Sequence, residues 1–333
     1  MPTPLPIDDV LPACQAAVRA QRALVLTAAP GAGKSTRLPP ALLPAVTGQV
    51  VVLQPRRVAA RAVARRIAEE QGWQLGREVG FQVRHERVGS RATRLWLMTE
   101  GVLTRRLLDD PFLEGVGCVV LDEFHERSQH TDLALAWVAE LRRTVRDDLA
   151  VVVMSATMDA APVCAFLGAP HIDCAGRAFP ITIRHEERGH DLRLAERVAA
   201  AVRDELAQID GDLLAFLPGA GEIRACQDLL DGIAADVLPL HGQLPGEEQD
   251  RAVAGAPAGG RRRVVLATNV AETSLTVPGV RGVIDGGQAR VARYDADRGL
   301  DTLLLEPISR ANADQRAGRA GRLGPGRCVR LWS

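Results

Sequence analysis

An α/β protein built from two parallel-sheet units is what this sequence predicts, on three observations. Short β-branched runs alternate with longer Ala/Leu/Arg segments of helical character, the alternation restarts after Pro180, and the first apolar run feeds a glycine-rich loop, Ala28-Ala-Pro-Gly-Ala-Gly-Lys-Ser-Thr36. Strands that alternate with helices are parallel strands joined by crossovers. A chain of 333 residues is long enough for two buried cores. The break is expected near residues 170–182, dividing a first domain, 1–175, from a second, 176–333.

In the first domain, strands are expected at Ala23–Thr27, Gln49–Leu53, Arg94–Met98, Cys118–Leu121 and Ala150–Met154, each a short apolar run bounded by polar or turn residues. Ala59–Gln71 and Thr131–Arg143 read as helices between them. In the second, the strands are Asp212–Leu217, Val237–Leu240, Arg263–Ala267, Gly282–Asp285 and Cys328–Leu331, with helices at Leu192–Gln208 and Gly221–Ile233. Gly255-Ala-Pro-Ala-Gly-Gly260 reads as a surface loop.

With 47% hydrophobic and 25% charged residues, the composition is that of an ordinary globular protein. The longest aliphatic runs, Val50–Leu53 and Val151–Met154, are far too short to span a membrane. The start carries no basic segment leading into an apolar one, which argues against a secretory signal. Six cysteines without any C-x-x-C pattern read as reduced packing residues, not as zinc ligands or a disulfide framework. The expectation is a cytoplasmic, monomeric protein with no membrane partner.

The net charge is zero, yet the basic residues are 40 Arg and a single Lys, Lys34, inside the glycine-rich loop. The Arg residues cluster: ten against four Glu between Gln54 and Arg94, and six against one Asp between Arg310 and Arg330. Local surplus of this kind suits a phosphate backbone, or else marks solvated helix faces.

A strand running into a glycine-rich loop and then a helix-compatible stretch is the context a P-loop requires. The loop Pro30, Gly31, Ala32, Gly33 wraps phosphates through its backbone N–H groups, from Gly31 on into Thr36, with Pro30 shaping the turn; Lys34 reaches the β- and γ-phosphates and the Ser35 hydroxyl holds Mg2+. Ala28 stands where the usual first glycine does, tolerable where the strand is still ending. Farther on, Cys118-Val-Val-Leu-Asp-Glu-Phe-His125 is an apolar strand ending in adjacent carboxylates. Asp122 then supports Mg2+, and Glu123 is the general base that orients attacking water.

At this point the chain resembles a superfamily 2 helicase of the DEAH-box type, motif by motif. Gln54-Pro-Arg-Arg-Val-Ala-Ala60 resembles motif Ia, Thr99-Glu-Gly101 motif Ib, Asp122-Glu-Phe-His125 motif II and Ser155-Ala-Thr157 motif III. Leu214-Ala-Phe-Leu-Pro-Gly219 is similar to motif IV, Ala267-Thr-Asn-Val-Ala-Glu-Thr-Ser-Leu275 to motif V and Gln315-Arg-Ala-Gly-Arg-Ala-Gly-Arg322 to motif VI. Phe124, where the box has Ala, resembles the bacterial HrpB-like branch.

The resemblance implies two RecA-like domains that hydrolyse ATP, with Arg319 and Arg322 as arginine fingers, Gln315 positioning the water, and His125, Ser155 and Thr157 coupling hydrolysis to motion. It implies 3′-to-5′ translocation on single-stranded RNA held by phosphate and ribose, with Arg57, Thr99 and the backbone around Arg84 in the first domain and Asn269 and Thr273 in the second. With eleven aromatics in 333 residues, base stacking is not the main source of affinity. In the family an Arg and an aromatic ring clamp the nucleotide base. Arg66 matches the Arg while Val253 aligns with the ring, so the stack is one-sided and other nucleoside triphosphates are accepted beside ATP. A strand-separating β-hairpin is expected at Gln288–Leu304, with a turn at Asp295-Ala-Asp-Arg-Gly299.

The sequence stops one strand past motif VI, whereas the family continues into winged-helix and further domains. A fragment or trimmed motor core is the expectation, with hydrolysis retained and processive unwinding in doubt. Two other readings stay open: a nucleotide-gated RNA clamp that does not unwind, and a DNA-directed helicase.

Overall fold

Val50-Val-Val-Leu53 and Val151-Val-Val-Met154 lack polar/apolar alternation because helices cover both faces of the sheet they enter. Along each strand, alternate residues face opposite cores. Val50, Val52 and Val152 join a cluster with helix residues Val18, Leu38 and Ile67; Val51, Leu53, Val151 and Val153 join one with Leu103, Leu107 and Val138. Each such side chain buried contributes about 1.5–3 kcal/mol.

The computed structural model describes residues 4–332 except 157, 177–178, 187–191, 256–258, 273–276, 296–298 and 323, and describes no side chain at 295 or 301. The chain forms two compact units, Met1–Arg177 and Ala178–Ser333.

The strands of unit 1 are β1 (Ala23–Ala28), β2 (Gln49–Gln54), β3 (Val79–Val83), β4 (Glu86–Val88), β5 (Leu95–Thr99), β6 (Val116–Leu121), β7 (Ala150–Ser155) and β8 (His171–Cys174). Its helices are α1 (Leu11–Gln21), α2 (Lys34–Leu42), α3 (Arg57–Gln71), α4 (Glu100–Asp109), α5 (Gln129–Thr144) and α6 (Ala161–Leu167). The strand order is β4-β3-β5-β2-β6-β7-β1-β8. All neighbours are parallel apart from β4, which runs antiparallel to β3 at one edge.

Unit 2 contains β9 (Ile181–His185), β10 (Asp212–Phe216), β11 (Asp236–Leu240), β12 (Arg263–Ala267), β13 (Val280–Asp285), β14 (Gln288–Asp295), β15 (Leu300–Pro307) and β16 (Gly326–Arg330). Between them lie α7 (Leu194–Leu206), α8 (Ala220–Leu229), α9 (Gly246–Val253) and α10 (Arg310–Ala317). Six strands form a parallel sheet in the order β11-β12-β10-β13-β16-β9, and β14 and β15 pair separately as an antiparallel hairpin. Pro239 is tolerated within β11 because that strand is an edge.

Sequence reading missed β3, β4, β8 and β9, all short and mixed in polarity. The hairpin runs to Pro307, three residues beyond the expected Leu304, because Leu305 and Glu306 continue the ladder; part of its expected turn, 296–298, lies outside the described residues. The helix expected at Gly221–Ile233 stops at Leu229. Cys14, Cys118, Cys174, Cys226 and Cys328 are buried free thiols, and Cys164 is half-buried.

Candidate active site

Parallel strands gather their following loops at one edge of a sheet. In unit 1 the neighbours β6, β7 and β1 deliver three of these loops side by side, with Thr27 in register with Ser155 and Val153 with Leu121. β1 extends through Ala28, which accounts for the tolerated alanine there. The chain then turns at Gly31 and Gly33, whose φ angles of 85° and 94° favour residues without a Cβ. At Gly33 a Cβ would also meet Leu5 Cδ1 at 2.6 Å. The Ile7 N–H donates to the Ala32 carbonyl at 3.1 Å, bracing the loop from behind. Pro30 and Gly31 are exposed, Ala32 is buried, and α2 begins at Lys34, so Lys34, Ser35 and Thr36 form its first turn. The Thr36 N–H donates to the Gly33 carbonyl at 3.2 Å, while the first N–H groups of a helix have no acceptor within it.

Lys34 does not point into solvent. Its Nζ lies 3.1 Å from Glu123 Oε1, with both side chains over nine-tenths buried. The other Glu123 oxygen is 3.5 Å from His125 Nδ1, which lies 3.3 Å from Ser155 Oγ. Asp122 is held separately: Gln54 Nε2 donates to its Oδ2 at 2.7 Å, Ser35 hydrogen-bonds its carboxylate, and the Glu123 N–H donates to Oδ1 at 2.9 Å. Burial first, and the Glu123 charge second, push the Asp122 carboxyl up to about 6 against the opposing pull of Lys34, Ser35 and Gln54. Two buried carboxylates facing one lysine leave this site short of positive charge, and Ser35 and Asp122 offer the hard oxygen donors that Mg2+ takes. The residues present therefore fit that ion.

Three further loops of unit 1 share the same edge. Arg57 is the first residue of α3 and exposed; Arg84 lies in the β3–β4 turn, where its Nε donates to His85 Nε2 at 3.1 Å; Thr99 ends β5 and occupies the N-cap position of α4 without a side-chain capping bond. The hydroxyls of Ser128 and Thr131 donate to the Glu100 carboxylate, which fixes α4 behind Thr99.

In unit 2, Arg316 is 1% exposed and holds three elements together. Its Nε donates to Glu272 Oε2 at 3.0 Å, its Nη1 to Asp285 Oδ1 at 2.7 Å, and its guanidinium lies 4.7 Å from the Phe216 ring centroid. Asn312 also donates to the Glu272 carboxylate, and Arg319, itself buried, donates to the Glu272 backbone carbonyl. Gln315 and Arg322 are half-buried, and Asn269 stands exposed in the turn after β12.

Residues 11–165 match the DEAD/DEAH box helicase family, and residues 197–324 match the helicase conserved C-terminal domain. The chain is 46% identical to the ATP-dependent RNA helicase HrpB of Escherichia coli (strain K12) over 98% of its own length and 41% of that protein's. It is 38% identical to an ATP-dependent RNA helicase HrpA homolog of Haemophilus influenzae, covering 26% of it. The crystal structure of the Escherichia coli DEAH/RHA helicase HrpB superposes with a TM-score of 0.91 at 45% identity, over 99% of this chain and 43% of that one. The chain belongs to the DEAD/DEAH-box helicases. It spans about two fifths of the length of the HrpB relative.

Within this helicase fold, unit 1 brings Lys34, Ser35, Asp122, Glu123, His125 and Ser155 into one connected cluster, and unit 2 arranges Arg319 and Arg316 around Glu272. Thr157 and Thr273 lie outside the described residues. Arg66, expected to stack on a nucleotide base, pairs along its own helix with Glu70 at 2.6 Å and Glu69 at 3.9 Å. An i,i+4 carboxylate is always within its reach.

The Arg-rich stretches are also largely paired at home: Arg56 with Glu126, Arg61 with Glu86, Arg327 with Glu205 and Arg330 with Asp314. Part of the local surplus is thus balanced by carboxylates within the same unit. Sequence reasoning missed Gln54, Glu272, Asp285 and Arg316 as site residues. A polar residue ending an apolar strand was the available signal for Gln54 and Asp285; Arg316 had none, since its spelling does not separate it from Arg319.

Proposed function

We propose that this chain is the motor core of an ATP-dependent RNA helicase that couples Mg2+-dependent hydrolysis of nucleoside triphosphate to 3′-to-5′ movement on single-stranded RNA. The observation that carries the reading is the buried chain Lys34–Glu123–His125–Ser155, set beside Asp122 and Ser35 at the mouth of a phosphate-wrapping loop.

Triphosphate entering the loop draws Lys34 Nζ away from Glu123 Oε1 toward the β- and γ-phosphates, so the general base is released only when substrate is present. Glu123 then orients a water for in-line attack and accepts its proton. Ser35 and Asp122 would hold Mg2+, which supplies neutralisation of phosphate charge. Gln315 helps orient the water, and Arg319 and Arg322 neutralise charge on the transferring phosphoryl group. His125, bonded to Ser155, relays the state of Glu123 to β7, and Thr157 extends that relay. Nucleic acid lies across Arg57, Arg84 and Thr99 in unit 1 and Asn269 and Thr273 in unit 2, contacted through its backbone.

A duplex with a 3′ single-stranded overhang tests the reading. ATP-dependent strand release is expected with a 3′ RNA overhang and not with a 5′ one. Nucleotide-dependent binding without release would make the chain a clamp, and release confined to DNA would redirect it to a different substrate.

A further inference from the structure

On the face of the unit 1 sheet that packs against α4, the central strand β5 presents Trp96 and Met98 to the core. The outer strands β3 and β4 carry Gln82 and its partner Arg87 on that side. Alternation thus places polar residues where α4 no longer covers the sheet, and an open cleft of about 790 Å³ runs between this edge and α4. Its lining includes Arg84, His85, Arg87, Arg105 and Arg106 but only one carboxylate, Asp109.

Several of these cations are not spent on carboxylates. Among the described residues Arg105 is exposed and pairs with no carboxylate, and the Arg87 guanidinium lies 4.9 Å from the Trp96 ring centroid. Arg106 has a distant partner, Asp110 at 3.7 Å. The upper end of the cleft is formed by Arg84 and by Gly101, two residues from Thr99; the lower end reaches Gln49 and Asp109 at the opposite edge of the sheet. With Trp96 only 2% exposed, the floor offers no ring face for base stacking.

We propose that this cleft is a second, sequence-independent phosphate track, along which single-stranded RNA continues down the side of unit 1 after it passes Thr99 and Arg84. Arg87 and Arg105 contact its backbone. The proposal rests on the RNA reading of the strand-end surface. Continuity with that surface favours RNA over an acidic protein segment.

Binding of a fluorescent oligouridylate to the whole chain, measured across a salt series, tests it. Removing one cation that neutralises a phosphate of a single strand flattens the log–log salt dependence by about 0.7. Arg105→Gln is expected to lower the slope by that amount, and Arg87→Gln with Arg105→Gln by about 1.4. Arg105→Lys should restore the slope, since charge alone is required. Arg19→Gln, an equal loss of charge on exposed α1, should leave it unchanged. Because Arg87 packs on Trp96, the Arg105 variants alone suffice if the double variant unfolds. Wild-type slopes in the Arg105→Gln and Arg105→Glu variants would overturn the cleft while leaving the RNA reading standing. Absence of RNA binding by the wild type would overturn both. Displacement of RNA by polyglutamate as effectively as by unlabelled RNA would reassign the cleft to an acidic protein.

Discussion

With φ of 52°, Glu123 occupies the left-handed region, which disfavours a residue with a Cβ by about 1–2 kcal/mol. This backbone turn breaks strand alternation directly after β6, so Asp122 and Glu123 reach one site although successive strand residues point apart. Glu123→Gln keeps the shape and removes the proposed general base, so turnover should fall by about 10²–10⁴-fold while nucleotide affinity persists; unchanged single-turnover hydrolysis would remove Glu123 from that role. Lys34→Arg should abolish hydrolysis despite the conserved charge, because a planar guanidinium does not fit where a slim ammonium is enclosed beside Glu123. Near-normal turnover would contradict that. Asp122, pushed up to about 6 by burial and then by Glu123, binds a cation only when ionised. Mg2+ affinity should therefore weaken about tenfold per pH unit once the pH falls well below about 6, measurable by titration with nucleotide present; a flat profile would contradict it. For the metal-free fold the favoured form is the neutral one. Its stabilising contribution is full below the ordinary carboxylate range and is lost as pH rises through about 6. That Lys34, Asp122 and Glu123 share one cluster was legible, because a glycine-rich loop and an apolar strand ending in two carboxylates are recognisable in the sequence. The contacts of Gln54 and Arg316 were not, since they arise only when strands far apart in sequence become neighbours.

At the scale of elements, α10 is fixed to the rest of unit 2 by a charge cluster with almost no solvent access. Arg316 faces Glu272 and Asp285, with side-chain exposures of 1%, 2% and 0%. Burial pushes the Asp285 carboxyl up, while the Arg316 charge holds it down. Removing one partner strands the others, so Arg316→Met should lower stability by about 3–5 kcal/mol, read from denaturant unfolding. Because Glu272 also receives Arg319, the same change should lower kcat more than it raises KM for ATP. A variant with wild-type stability would show the cluster to be dispensable. The strands and helices around it were readable from apolar runs. What the sequence obscured were elements whose neighbours define them: β4, three residues long beside β3, and β8, where the polar His171 and Asp173 sit on an edge strand.

At the scale of the molecule, zero net charge hides a division of labour among the 40 arginines. Many are tied to carboxylates or carbonyls within their own unit, such as Arg263 on Asp212 and Arg94 on Gly48. Arg87 and Arg105 remain turned to the cleft, and Arg319 lies beside motif V. Composition alone could not make that division, since it depends on which carboxylates the fold brings near. The two-unit α/β plan was legible because alternating strands and helices admit few other topologies. Steady-state ATP hydrolysis by the wild type and by Glu123→Gln, each with and without single-stranded RNA, tests the motor reading most directly. Mg2+-dependent turnover that rises with RNA and collapses in the variant is the expected result. Turnover retained by Glu123→Gln, or indifferent to RNA, would contradict it.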